Sequence, residues 1–282
     1  MRVSELNYYP LKSARGIALP EAEIGRTGIP GDRRMMITDA AGKFITQREL
    51  PLLARLTVTP RGASVHLAMD GQGDHYAQQP DPRRRIDVVV WQSPVSAALA
   101  DDVTNARLSD WLGRDTRLVF FDDQAERTAS TEWAGEGTPV TFADGYQVLV
   151  TTTASLATLN ADMRAHGEGE VGMERFRPNI VVESDEPWAE DGWSSIEISG
   201  VTFDLVKPCA RCIMTTQDQQ SGSREVTNPM PAMGRLRMSA DRRVPGPLFG
   251  WNAVPRHTGH IKVGDPVRVI ASRETTWAIK KR

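Results

Sequence analysis

Two cysteines stand three residues apart in Cys209-Ala-Arg-Cys212, and they are the only two among 282 residues. A C-x-x-C pair can be a redox dithiol, half of a zinc site, or two thiols without a shared role. Zinc takes four ligands. No second C-x-x-C accompanies this one, and of His66, His75, His166, His257 and His260 only the last two follow it in the chain, as the nearest candidates for further ligands. A redox dithiol opens a helix after a strand, whereas Ile213-Met214-Thr215-Thr216 reads as more strand. Arg211, set between the thiols, favours the thiolate, which is a soft ligand suited to a transition metal. The residues alone leave these chemistries open.

Basic groups recur at turn-like positions. Pro10-Leu11-Lys12-Ser13 is followed about twenty residues later by Gly31-Asp32-Arg33-Arg34. A lysine, a hydroxyl and an arginine together can clamp a phosphate: a point charge, a neutral donor and a bidentate fork. Two arginines and an asparagine open the apolar run Arg175-Phe176-Arg177-Pro178-Asn179-Ile180-Val181-Val182. Gly246-Pro247-Leu248-Phe249-Gly250-Trp251-Asn252 and the turn Gly264-Asp265-Pro266-Val267 complete the set.

The elements that must position these groups are mostly short strands. Runs rich in Val, Ile, Thr and aromatics, bounded by Gly, Pro or Asp, fall at 2–9, 35–38, 56–60, 64–69, 86–91, 117–121, 146–151, 179–183, 195–198, 201–207 and 266–271. Helical spacing is limited to 96–112 and 155–164. A polar stretch, 121–139, predicts a boundary between domains 1–120 and 121–282. A second polar segment, 217–247, is long for a loop and is the candidate for shaping an entrance and setting substrate choice. Thirty-four Lys+Arg against 36 Asp+Glu leave a net charge of −2, which argues against a nucleic-acid partner. No run approaches the ~20 apolar residues that cross a bilayer. The first residues lack the apolar core of a secretory signal. The expectation is a cytoplasmic monomer without a membrane partner.

Taken in order, YYPLKSARGI, GDRRMMIT, ITQRELP, FADGYQVLVTTTASL, RFRPNIVV, KPCARCIMTTQD, PLFGWN and IKVGDPVRV resemble the family named for the C-terminal domain of molybdenum-cofactor sulfurase, MOSC, with its N-terminal β-barrel companion. Within it the chain is most similar to bacterial and mitochondrial amidoxime-reducing proteins, including those that detoxify N-hydroxylaminopurines. PCARCIMTTQD is the specific part. The resemblance implies a mainly β fold with some α, in which a MOSC β-barrel packs with a smaller N-terminal β-rich domain whose first strands can pack on the second. It implies reduction of N-hydroxylated compounds (amidoximes, hydroxylamines, N-hydroxylated bases) by oxygen-atom transfer at a molybdenum held by molybdopterin. Cys212 is then the metal ligand, with Cys209 a supporting thiol. Lys12, Ser13 and Arg33 meet the pterin phosphate, and Arg177, Asn179, Gly145 and Tyr146 hold the pterin. Gly145 and Tyr146 replace the small hydroxyl residues common in the family, so backbone contacts are expected there. Ala210 and Arg211 touch the cofactor, Asn252 lies near the metal, and Asp218 is a candidate proton relay. No cysteine follows Cys212, so electrons must come from a separate flavin, haem or iron–sulfur protein. The alternatives are a non-catalytic molybdopterin carrier or sulfur-transfer protein, and a cysteine-based redox or zinc-binding barrel.

Overall fold

Alternation of buried and exposed side chains turns most of the short apolar runs into strands in a computed structural model, which describes residues 1–280. Eight strands form the larger sheet, in the spatial order Val267–Ser272, Trp193–Ile198, Val201–Ala210, Leu248–Pro255, Val148–Thr152, Ile180–Glu183, Arg2–Tyr8 and Ile17–Leu19. All neighbours are antiparallel except Val148–Thr152 and Ile180–Glu183, which run parallel. A parallel pair needs a crossover, and the helix Thr153–Ala165 supplies it. The N-terminal strand Arg2–Tyr8 pairs with Ile180–Glu183, and Glu21–Ile24 pairs with Gly259–Lys262. Val3, Leu6, Ala22 and Ile24 therefore share one core with Phe203, Trp251 and Ile261.

The remainder of the N-terminal half has its own core. Met35–Thr38, Arg117–Phe120, Ser93–Leu99 and Arg85–Val90 make a four-stranded sheet, and Leu56–Arg61, Ser64–Met69 and Gly73–Gln78 a three-stranded one. The helix Asp102–Leu112 puts Leu108, Trp111 and Leu112 against Leu53, Leu56 and Leu67. Asp101 caps it by accepting from the Thr104 N–H at 2.8 Å. The fold is mainly β with some α, as the sequence predicted.

Three expectations are corrected. The helix expected over 96–112 is a strand, Ser93–Leu99, followed by the shorter helix, because Asp101 caps the helix and the strand buries Val95, Ala97 and Ala98. Residues Ile213–Thr216, expected as strand, form a 3-10 turn closed by the Thr215 N–H on the Cys212 carbonyl at 3.1 Å. Leu248-Phe249-Gly250-Trp251-Asn252, absent from the runs expected as strands, belongs to the strand Leu248–Pro255. That strand lies between Val201–Ala210 and Val148–Thr152, bringing Asn252 opposite Lys207 and Leu149.

Candidate functional site

A cavity of about 430 Å³ opens where the two halves meet. Lys12, Ser13, Arg33, Arg48 and Trp91 line it from the N-terminal half. Asp144, Gly145, Tyr146, Arg175, Arg177, Asn179, Cys209, Ala210, Arg211, Cys212 and Asn252 line it from the rest. Lys12, Arg33, Arg48, Arg175, Arg177 and Arg211 are cations, and Asp144 is the one carboxylate on the wall. A focused positive potential in a cleft selects anions.

The cations are fixed by backbone geometry that most residues avoid. Among the described residues six non-glycine positions have positive φ, and four line this cavity: Ser13 (67°), Arg33 (46°), Trp91 (58°) and Arg177 (52°). Such conformations persist only where the surroundings over-determine them, and they collect at functional sites. Arg33 is pinned by its N–H on the Tyr9 carbonyl at 2.7 Å, and its own carbonyl accepts from Phe142 N–H at 3.0 Å. Its guanidinium donates to Asn179 Oδ1 at 3.0 Å and to Asp32 Oδ2 at 2.5 Å. Arg177 donates to the Ala14 carbonyl at 2.8 Å and to Gln219 Oε1 at 3.1 Å.

Tyr9 lies between them, with both guanidinium carbons 4.2 Å from its ring centroid. Burial pushes the Tyr9 hydroxyl up to about 12 despite the two cations, so the ring is a neutral, electron-rich spacer. Gly16 permits this stack, since a Cβ there would stand 2.4 Å from the Tyr9 ring. Burial lowers the pKa of Arg177 to about 10, leaving it charged at neutral pH. Asn179 also accepts the Leu149 N–H at 3.2 Å, and its amide donates to the Asn7 carbonyl and to Asp32. Its polar atoms are thus engaged by the protein, and what it gives the cavity is the placement of Arg33.

Lys12 is buried, with Nζ on the Phe142 carbonyl at 2.9 Å and on Asp144 Oδ1. Burial pulls its pKa down, and Asp144 opposes that pull. The Asp144 side chain is 62% exposed toward the opening. Crowding by protein atoms would raise its pKa, but Lys12, then Arg48 and Arg33, outweigh this and hold it ionised below the usual carboxylate range.

The thiols lie at the other side. Cys209 ends the strand Val201–Ala210 and accepts from Arg211 at 2.9 Å. Cys212 begins the 3-10 turn and accepts from Arg48 at 3.5 Å. Both are free. Arg211 also donates to the Phe176 carbonyl at 2.7 Å, while its Nε is buried without a partner in the protein. Among the described residues no three His, Cys, Asp or Glu groups gather to hold a bare metal ion. With at most these two thiols to offer as soft ligands, the cavity suits a metal that arrives already chelated.

Of the residues singled out by sequence, Lys12, Ser13, Arg33, Gly145, Tyr146, Arg177, Asn179, Ala210, Arg211, Cys212 and Asn252 all line this cavity. Gly145 leaves open space where a Cβ would stand, and the Tyr146 ring is packed among Ala129, Ala134, Val140 and Val254. Asp218 is the exception. Its carboxylate accepts the N–H groups of Gln220 at 3.0 Å and Ser221 at 2.6 Å and the Ser221 hydroxyl at 2.8 Å. It shapes a turn and is not among the residues that line the cavity. The segment 217–247 likewise contributes nothing to the lining; it braces the wall from behind, through Gln217 on Gln47 at 2.7 Å and Arg224 on the Arg48 carbonyl at 2.7 Å. Sequence reasoning passed over Arg48, Trp91 and Asp144 as site residues, and noted Arg175 only as one of two arginines opening an apolar run. Asp144 adjoins Gly145 and could have been found, whereas Trp91 looked like the end of a strand.

A family model for the MOSC domain matches residues 137–268, and one for the MOSC N-terminal β-barrel domain matches residues 1–115. The chain is 28% identical over 282 residues to mitochondrial amidoxime-reducing component 1 of Homo sapiens, covering 95% of this chain and 82% of that protein. It is 29% identical over 279 residues to mitochondrial amidoxime reducing component 2 of Bos taurus, covering 94% and 82%. The cavity is lined from both matched regions.

Proposed function

Since the chain belongs to the MOSC family, with an N-terminal MOSC β-barrel domain before the MOSC domain, we propose that its cavity holds a molybdenum cofactor and that the protein reduces N-hydroxylated compounds. The observation that carries this reading is the joining of Cys212 to Lys12, Ser13 and Arg33 by one cationic cavity. Lys12, Ser13 and Arg33 would take the phosphate, Arg177, Ala210 and Arg211 the pterin, and Cys212 the metal. The surplus of cations and the two free thiols on the wall, one of which would ligate the metal, fit that group. When bound, the cofactor supplies two-electron oxygen-atom transfer, the chemistry that removes the oxygen of an N–OH group.

The chain's own groups set the conditions for it. Arg48 donates to the Cys212 sulfur and orients it. Asp144, ionised and facing the opening, offsets part of the positive field, so a second anion competes poorly once the phosphate is seated. Val148, Leu149 and Phe176 give the cavity an apolar wall, which lowers the local dielectric and strengthens these electrostatic contacts. Both cysteines of these 282 residues lie at this cavity, so these residues supply no four-thiolate set for an iron–sulfur cluster, and the proposed electron donor is a flavin, haem or iron–sulfur group outside them. The free thiols suit a reducing compartment, and we assign the cytoplasm, although the relatives are named as mitochondrial.

Protein purified from a cofactor-producing host tests this with benzamidoxime and an artificial reductant. Turnover well above that of free cofactor is expected. Cofactor bound without turnover would instead make the chain a molybdopterin carrier.

A further inference from the structure

Trp91 breaks two rules of economy at once. It occupies the first position of the two-residue loop joining Arg85–Val90 to Ser93–Leu99, where Val90 pairs with Ser93. Positive φ falls at Trp91 alone of the two loop residues, and hairpins with that pattern normally place glycine there. Its indole is also 46% exposed, although large apolar rings gain by burial. Neither cost strengthens the hairpin. Three of the five other non-glycine residues with positive φ line the cavity that Trp91 overhangs.

The ring is held by the protein on one side. The Arg48 guanidinium sits 4.8 Å from its centroid and Phe44 packs against it at 5.3 Å, tilted by 59°. The same Arg48 donates to the Cys212 sulfur at 3.5 Å. One guanidinium thus separates the thiol from the indole. The exposed part of the ring borders both the main cavity and a neighbouring groove of about 670 Å³. An immobilised aromatic face at a cleft mouth stacks planar rings and gives little to aliphatic groups.

We propose that Trp91 is a specificity-determining shelf, selecting substrates whose N-hydroxylated group is borne on a planar aromatic or heteroaromatic ring. This rests on the reductase reading above, and the shelf can be tested apart from it. Trp91→Gly removes the ring while supplying the residue the loop prefers, so folding is retained; Trp91→Phe keeps an aromatic face. The paired probes are benzamidoxime and acetamidoxime, which share the reacting group and differ in the ring. In Trp91→Gly the ratio of kcat/KM for benzamidoxime to that for acetamidoxime should fall about tenfold, mostly through KM, a change of ~1.4 kcal/mol. Trp91→Phe should restore most of it. Damage to the fold or loss of cofactor lowers both substrates together and leaves the ratio unchanged, which would overturn the shelf. Tryptophan fluorescence supplies a readout free of turnover: titration with benzamidoxime should quench the wild type saturably and quench Trp91→Gly far less. If that quenching is seen while the wild type reduces neither probe, the shelf stands and the reductase reading fails. If both probes are reduced and neither ratio nor quenching changes, the reverse holds.

Discussion

Lys12 and Arg33 carry like charges toward one cavity, yet the protein depends on them differently. Lys12 is countered by Asp144, whose carboxylate is 62% exposed and can be solvated when the ammonium is gone. Arg33 is countered by Asp32, which is buried; burial raises its pKa, and Arg33 works against that rise. Removing one member of a buried pair costs about 3–5 kcal/mol, because the other is stranded. Lys12→Ala should therefore weaken retention of the pterin phosphate with little change in Tm, whereas Arg33→Ala should weaken retention and lower Tm steeply. Thermal scans of the cofactor-free variants check this, and equal losses of Tm would contradict it. Most of these groups were legible because charge, hydroxyl and thiol announce themselves by type. Asp218 misled because proximity in sequence to Cys212 carries no direction, and its carboxylate is consumed by Gln220 and Ser221. Trp91 was hidden because its distinguishing property is a backbone angle.

The elements were read best where alternation was clean. Ser64–Met69, buried at every second residue, falls where the alternation places it, whereas Met35–Thr38, buried throughout, was found by its apolar run alone. Ser93–Leu99 was lost because alanines and a capping aspartate blurred the change from period two to a helix. The crossover helix Thr153–Ala165 shows how an element is anchored by a side chain distant in sequence. Glu190, from the 3-10 turn Ala189–Asp191, accepts from Ser155 Oγ and Thr152 Oγ1, each at 2.9 Å, at that helix's first turn. Burial raises its pKa above 4.5, and the hydroxyl donors oppose the rise only in part. Between 4.5 and the raised value the folded protein binds a proton that the unfolded chain has released, so stability falls as pH rises through that window. Glu190→Gln, which does not titrate, lacks this contribution. The wild type should gain stability relative to the variant as pH falls from neutral toward 4.5, measured by urea denaturation. A difference independent of pH would contradict it.

At the scale of the molecule, one interval of sequence serves two cores. Residues 2–19 extend the sheet built from residues 148–272 and residues 21–24 pair with 259–262 beside it, while residues 35–120 form a separate pair of sheets. The cavity sits where the chain passes between them, so Lys12 and Arg33 from one stretch meet Arg177 and Cys212 from another. The resemblance identified both stretches, but the residue patterns alone could not say that one cavity unites them, since that follows from the strand Arg2–Tyr8 pairing with Ile180–Glu183. A ligand gripped from both sides couples the halves and stabilises the whole by mass action.

The most direct measurement is molybdenum and pterin per chain, made on wild type and Cys212→Ser produced side by side in a cofactor-producing host. Close to one of each is predicted for the wild type, with molybdenum lost from Cys212→Ser while its circular dichroism is preserved. A wild type that carries zinc without molybdenum, or a Cys212→Ser variant that retains its full molybdenum, would contradict the assignment of that thiol as the anchor.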